Sequence, residues 1–139
     1  MKQLVFFLIL MISTTTIYAQ QDIEFIVIKD PATKLVWQSG EPEMSRMKWD
    51  WAKGYCESFK GDGIKGWRLP NIKELISIID FAKEDPATTL EFDANNPANY
   101  WSSTPSANYD DLVWTVNFKN GAVSLYKKNY STYVRCVRE

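Results

Sequence analysis

Histidine is absent from the 139-residue chain. That removes His-dependent triads, His-ligated zinc and haem, and the commonest acid-base group at neutral pH. A basic excess is absent too: 16 Lys and Arg stand against 17 Asp and Glu, a net charge of -1, so no global field holds nucleic acid or an anionic membrane. Cysteine is down to two residues, with no metal-ligand spacing and no base for either thiol. No apolar run reaches the roughly 20 residues that span a bilayer. What remains is 45% hydrophobic and 24% charged, the make-up of one globular domain.

The longest apolar run, residues 4–12, follows Lys2 and leads to Ile17-Tyr18-Ala19. This reads as a secretory signal peptide over 1–19, with Ala19 as the small residue before the cut and Gln20 as the new N-terminus. No cysteine follows the run, so no lipid anchor is expected. The single domain expected over 20–139 loses only Lys2 among the charges, which leaves 15 positive against 17 negative. Export to the periplasm, the cell surface or the medium also changes how the cysteines read, since an even number in an oxidising compartment points to a disulfide. Cys56 and Cys136 are each other's only partner, 80 positions apart. Closing so long a loop is worth roughly 4 to 5 kcal/mol in the chain-entropy model.

Residues 22–29 are β-branched and aromatic enough for a strand, Asp30-Pro31-Ala32-Thr33 is turn chemistry, and 35–38 returns as a second strand. After a loop over 39–45, Ala52, Tyr55, Cys56 and Phe59 fall at i, i+3, i+4 and i+7, which predicts an amphipathic helix over 47–59 with Cys56 inward. Asn71 with Glu74 three residues on resembles a capping box. Ile72, Leu75, Ile76 and Ile79 repeat the helical spacing and predict a second helix to about residue 82. Residues 84–99 form a long loop of the kind that is functional or mobile. Four strands follow, at 100–103, 112–118, 122–126 and 133–138, with Asn120-Gly121 as a hairpin signal between the second and third.

Adjacent acids, Asp110-Asp111 and Glu84-Asp85, keep a two-carboxylate glycosidase in view. The 93–96 loop has hard oxygen ligands for calcium but lacks the Gly and distal Glu of an EF-hand loop. Lys127-Lys128-Asn129-Tyr130 has the composition of a surface that grips sugars or acidic groups. Asn129-Tyr130-Ser131 also matches an N-glycosylation acceptor. Most of Trp37, Trp49, Trp51, Trp67, Trp101 and Trp114 are expected in the core, because a small domain needs large side chains to bury enough apolar surface.

Five blocks, in order, resemble the Lcl C-terminal-type domain of exported bacterial proteins. They are residues 30–38, the helix ending Tyr55-Cys56, the stretch Gly66-Trp67-Arg68-Leu69-Pro70-Asn71-Ile72-Lys73-Glu74-Leu75, Tyr100-Trp101-Ser102-Ser103-Thr104, and Val134-Arg135-Cys136-Val137-Arg138. The resemblance implies an α+β, C-type-lectin-like fold: two helices flanking a small twisted antiparallel sheet, with a disulfide from the first helix to the last strand. The Arg68-Leu69-Pro70 block is also similar to the related formylglycine-generating and sulfatase-modifying family. Those enzymes use a closely spaced cysteine pair near the C-terminus; here only Cys136 lies there, so the activity does not carry over. The Glu-Pro-Asn and Trp-Asn-Asp signatures of calcium-dependent lectins are absent, the nearest stretch being Glu41-Pro42-Glu43. No cofactor, metal ligand or catalytic residue is therefore expected.

Relatives of this fold include adhesins and receptor-binding proteins with diversified C-terminal loops. The expectation is an exported, non-catalytic binding module for a glycan or a surface protein, with oligomerisation left open. The alternatives are a structural subunit of a surface assembly and a carboxylate-based glycosidase. The predicted face takes Asn108, Tyr109, Asp110 and Asp111 from one loop and Tyr126, Lys127, Lys128, Asn129, Tyr130 and Tyr133 from another. Such mixed rings and short polar groups give large contact area with little rotamer entropy lost. A sulfated polysaccharide is favoured only if Lys119 clusters with Lys127 and Lys128.

Overall fold

Asp30 shows how local chemistry starts the fold. Its carboxylate accepts from the Ala32 N–H at 3.0 Å and the Thr33 hydroxyl at 2.6 Å, and its carbonyl accepts from Lys34 N–H at 2.8 Å. That turn reverses β1 (Val27–Lys29) into β2 (Val36–Gln38), in antiparallel register. The computed structural model describes residues 27–40 and 46–139. The signal-peptide expectation, the start of the first strand and Glu41-Pro42-Glu43 lie outside the described residues.

Helix α1 (Trp49–Ser58) buries Trp49, Ala52 and Cys56, with Tyr55 and Phe59 half-buried against the same core. It is shorter than the predicted 47–59 because Met47 belongs to β3 (Arg46–Met47) and Phe59 is an extended C-cap. Helix α2 (Ile72–Ser77) begins with a complete capping box: Glu74 N–H donates to Asn71 Oδ1 and Asn71 N–H to Glu74 Oε1, each at 2.9 Å. It ends five residues before the predicted stop. The Ile78 carbonyl accepts from Thr89 N–H at 2.8 Å, and Ile79 makes a β-bridge with Thr88. A tertiary partner has taken the backbone groups that another helical turn needs.

The remaining strands are β4 (Asn99–Pro105), β5 (Leu112–Asn117), β6 (Val123–Lys127), β7 (Thr132–Tyr133) and β8 (Val137–Arg138). One sheet has the order β1-β2-β8 and the other β3-β7-β4-β5-β6. The β4–β7 pair is parallel, so the fold is α+β with a mixed sheet where an all-antiparallel one was expected. The last predicted strand divides in two: β7 lies in the larger sheet and β8 in the smaller, and residues 134–136 carry the chain between them. Cys136 sits in that crossing and is bonded to Cys56, which staples α1 to the junction of the two sheets.

Strand β4 is covered on both faces, and its alternation sorts the core. Trp101 packs with Trp49, Trp67 and the disulfide; its neighbour Tyr100 packs with Trp37, Leu75, Ile78 and Phe118. Trp101 Nε1 donates to Met47 O at 2.8 Å and Trp49 Nε1 to Ser102 O at 2.9 Å, which satisfies these two indoles, whereas Trp37 Nε1 is buried with no hydrogen-bond partner among the described residues. Four of the six tryptophans are buried, Trp114 is half-buried and Trp51 is 67% exposed. The β5–β6 turn carries the expected Gly121 at φ +78°, where an added Cβ would lie 2.6 Å from Ile79 Cγ2. Backbone and packing both require glycine there.

Ion pairs fasten the C-terminus. Arg68 forks onto Glu74 at 2.8 and 2.9 Å and reaches Glu139 at 2.8 Å, while Arg138 pairs with Asp62. Burial alone would raise the Asp62 carboxyl. The Arg138 guanidinium and donation from the Ile64 and Trp67 N–H groups outweigh it and hold Asp62 below the ordinary carboxylate range. A depressed folded-state value means that the unfolded chain takes up the proton first as pH falls. Asp62 therefore contributes stability above its unfolded value of about 3.9, and that contribution is lost as pH falls through the lower folded value. Urea midpoints measured from about pH 6 down to pH 2 should fall below about pH 4, and Asp62→Asn should shrink that drop while lowering stability near neutrality.

Candidate functional site

The open end of the β5–β6 hairpin is built by backbone bonds. Leu112 pairs with Lys127, and the 106–111 turn closes on itself: Ser106 N–H donates to Leu112 O at 2.9 Å, and Ser106 Oγ accepts from the Asn108 and Tyr109 N–H groups at 3.2 Å. Lys128 N–H donates to Asp111 O at 2.9 Å, and its ammonium donates to the Asp110 carbonyl. Tyr130 N–H donates to Lys127 O at 2.9 Å. Between the two turns lies a cleft of about 440 Å³ lined by Asp110, Asp111, Lys127, Lys128 and Asn129.

Five of the ten predicted site residues line this cleft. Tyr109 and Tyr130 flank it in sequence and are 57% and 52% exposed, and Asn108 is exposed one residue further along the turn. Tyr126 is half-buried, its ring edge-on to Trp101 at 6.4 Å and to Tyr130 at 6.3 Å, so it serves as the footing on which Tyr130 stands. Tyr133 does not join the cleft lining. It belongs to β7, where its ring lies 5.5 Å from Tyr100 and 5.6 Å from the Arg46 guanidinium.

Helix α1 brings in residues that sequence reading left out. Trp49 N–H donates to Lys128 O at 3.2 Å, and the Lys53 and Lys128 ammonium groups stand 3.9 and 5.0 Å from the Trp49 ring. Beside this contact Arg46, Met47, Lys48, Trp51 and Ser131 enclose a smaller hollow of about 160 Å³. One residue, Tyr130, separates Asn129 in the cleft from Ser131 in the hollow. The signal for Trp51 was present in the periodicity: it lies off the Trp49, Ala52, Cys56 stripe and so cannot share the buried face.

Both acids of the cleft come from one turn, and the facing segment supplies two lysines and an amide. Lys119 lies in the turn at the other end of the hairpin, where its carbonyl accepts from Asp85 N–H, so it does not cluster with Lys127 and Lys128. Among the described residues no three Cys, Asp or Glu side chains converge on a point that could hold a metal ion. No helix among the described residues is long and apolar enough to cross a membrane.

An α+β domain with two helices, a mixed sheet and one helix-to-sheet disulfide carries this surface at its hairpin end. The chain belongs to the Lcl C-terminal domain family, whose sequence profile matches residues 26–138. No curated protein matches the chain.

Proposed function

We propose that the chain is an exported, non-catalytic glycan-binding module of C-type-lectin-like fold, with its ligand in the cleft between the 109–111 and 127–130 turns. The observation that carries this is the cleft itself: about 440 Å³ with mixed polar lining, exposed Tyr109 and Tyr130 next in sequence to its lining residues, and Trp51 67% exposed in the smaller hollow that Ser131 also lines. Exposed rings next to short polar groups supply a stacking surface with hydrogen-bonding edges. The charges lining the cleft balance at two acids and two lysines, which suits a neutral or mildly charged ligand. A glycosidase places a carboxylate on each side of the scissile bond, whereas here both acids stand on one side. The disulfide fits export to an oxidising compartment.

Screening the oxidised protein against a glycan array and a surface-protein panel tests the proposal. Tyr130→Ala and Trp51→Ala should each weaken glycan binding about tenfold, or roughly 1.4 kcal/mol. Raising salt several-fold should change affinity little, because few charges are engaged. Sugar turnover, or a stable homo-oligomer that binds nothing, would overturn it in favour of a glycosidase or a structural subunit.

A further inference from the structure

The hairpin cleft carries its charges on separate walls. Asp110 and Asp111 stand on the 106–111 turn, while Lys127 and Lys128 stand on the segment that faces it, with Asn129 next to them. These opposite charges do not pair with one another. Among the described residues neither carboxylate accepts a hydrogen bond or enters an ion pair, and the Lys127 ammonium donates to nothing.

The main chain holds the walls in this state. The Lys128 ammonium donates to the carbonyl of Asp110 and not to its carboxylate, and it stands 5.0 Å from the Trp49 ring. Lys128 N–H donates to Asp111 O at 2.9 Å. The two turns are therefore joined through backbone acceptors, which leaves both carboxylates and the Lys127 ammonium to the cleft of about 440 Å³. A ligand with a single charge gains from one wall and meets a like charge on the other. A ligand with an ammonium at one end and a carboxylate at the other meets an opposite charge on each, and it carries no net charge, as the balanced lining favours.

We infer that the cleft selects a zwitterionic sugar, a pyranose that turns a free ammonium toward Asp110 and Asp111 and a carboxylate toward Lys127. This rests on the glycan reading above and narrows it to one class of sugar.

Four methyl glycosides test it, titrated by NMR against the full oxidised chain: those of glucose, glucosamine, glucuronic acid and 2-amino-2-deoxyglucuronic acid. They share one ring and differ only in an ammonium at C2 and a carboxylate at C6, at opposite ends of that ring. Each singly charged sugar should bind about threefold tighter than the glucose glycoside, and the zwitterion about tenfold tighter. Asp110→Asn combined with Asp111→Asn should remove the gain from the ammonium and keep that from the carboxylate, and Lys127→Gln should do the reverse. These three side chains are exposed and bond to no described residue, so the variants keep the fold. A zwitterion that binds no tighter than the glucose glycoside overturns the inference and leaves the glycan reading standing. So does a ranking with glucosamine or glucuronic acid above the zwitterion, which would make the cleft a site for one sign of charge. Gains that survive the variants place the sugar elsewhere and overturn it as well. If none of the four binds, the inference fails, and the glycan array decides the broader reading separately.

Discussion

Replacing Cys56 and Cys136 together by alanine is expected to lower folding stability by about 2 to 5 kcal/mol. Against a typical total of about 5 to 15 kcal/mol for a domain, such a loss leaves a protein that unfolds with mild heating. Two contributions add. The bridge spans 80 residues, so its loss frees most of the unfolded chain. It also ties α1 to the 134–136 crossing, where the backbone is held to β2 through Gln38 N–H to Cys136 O at 2.9 Å and Cys136 N–H to Gln38 Oε1 at 3.1 Å. Urea titrations of the wild type, oxidised and reduced, beside the double variant provide the measurement. The reduced wild type should track the double alanine. A loss under about 1 kcal/mol would mean that the two buried sheets hold α1 without the staple.

Arg135→Ala should cost about 3 to 5 kcal/mol, the range for truncating a large buried side chain, here one whose acceptors also lose their donor. The side chain is 1% exposed. Its Nη1 donates to Gln38 O and Ser39 O, both at 2.8 Å, and its Nη2 donates to the Ala94 carbonyl and to Tyr100 Oη at 3.4 Å. One guanidinium thereby joins β2, the long loop and β4. Alanine would strip a donor from each of these carbonyls and leave a cavity beside Phe92, Tyr100 and Phe118. Arg135→Lys keeps the charge but not the planar fork, so about 2 kcal/mol of the loss should persist. Denaturant unfolding gives the stability change, and hydrogen exchange should show faster opening of residues 88–96 before the rest of the domain. Unchanged protection there would separate the loop from Arg135.

The cleft shows the limits of reading loops from sequence. Asp110, Asp111, Lys127, Lys128 and Asn129 fall together because they flank the open end of a hairpin whose Asn120-Gly121 turn is a local signal. Once the hairpin is predicted, its open end follows from counting along two strands. Proximity in sequence predicts Tyr133 on the same face, but three residues after Tyr130 the chain has entered β7 and is paired with Arg46 and Tyr100. Composition favours burying tryptophan in a small domain, whereas helix phase turns Trp51 outward, 67% exposed.

Local chemistry determined the Asp30 turn, the start of α2, the inward stripe of α1 and the pairing of the only two cysteines, since each depends on groups within a few residues or on there being no other partner. Tertiary structure decided the rest. It ended α2 at Ser77 when the 86–89 segment claimed the Ile78 carbonyl and the Asp80 N–H, and it divided the last strand because Arg135 and Cys136 must bury between two sheets. It also set β7 parallel to β4. In each of these the competing partners are tens of residues apart, and which of them captures a backbone hydrogen bond depends on how the whole chain packs.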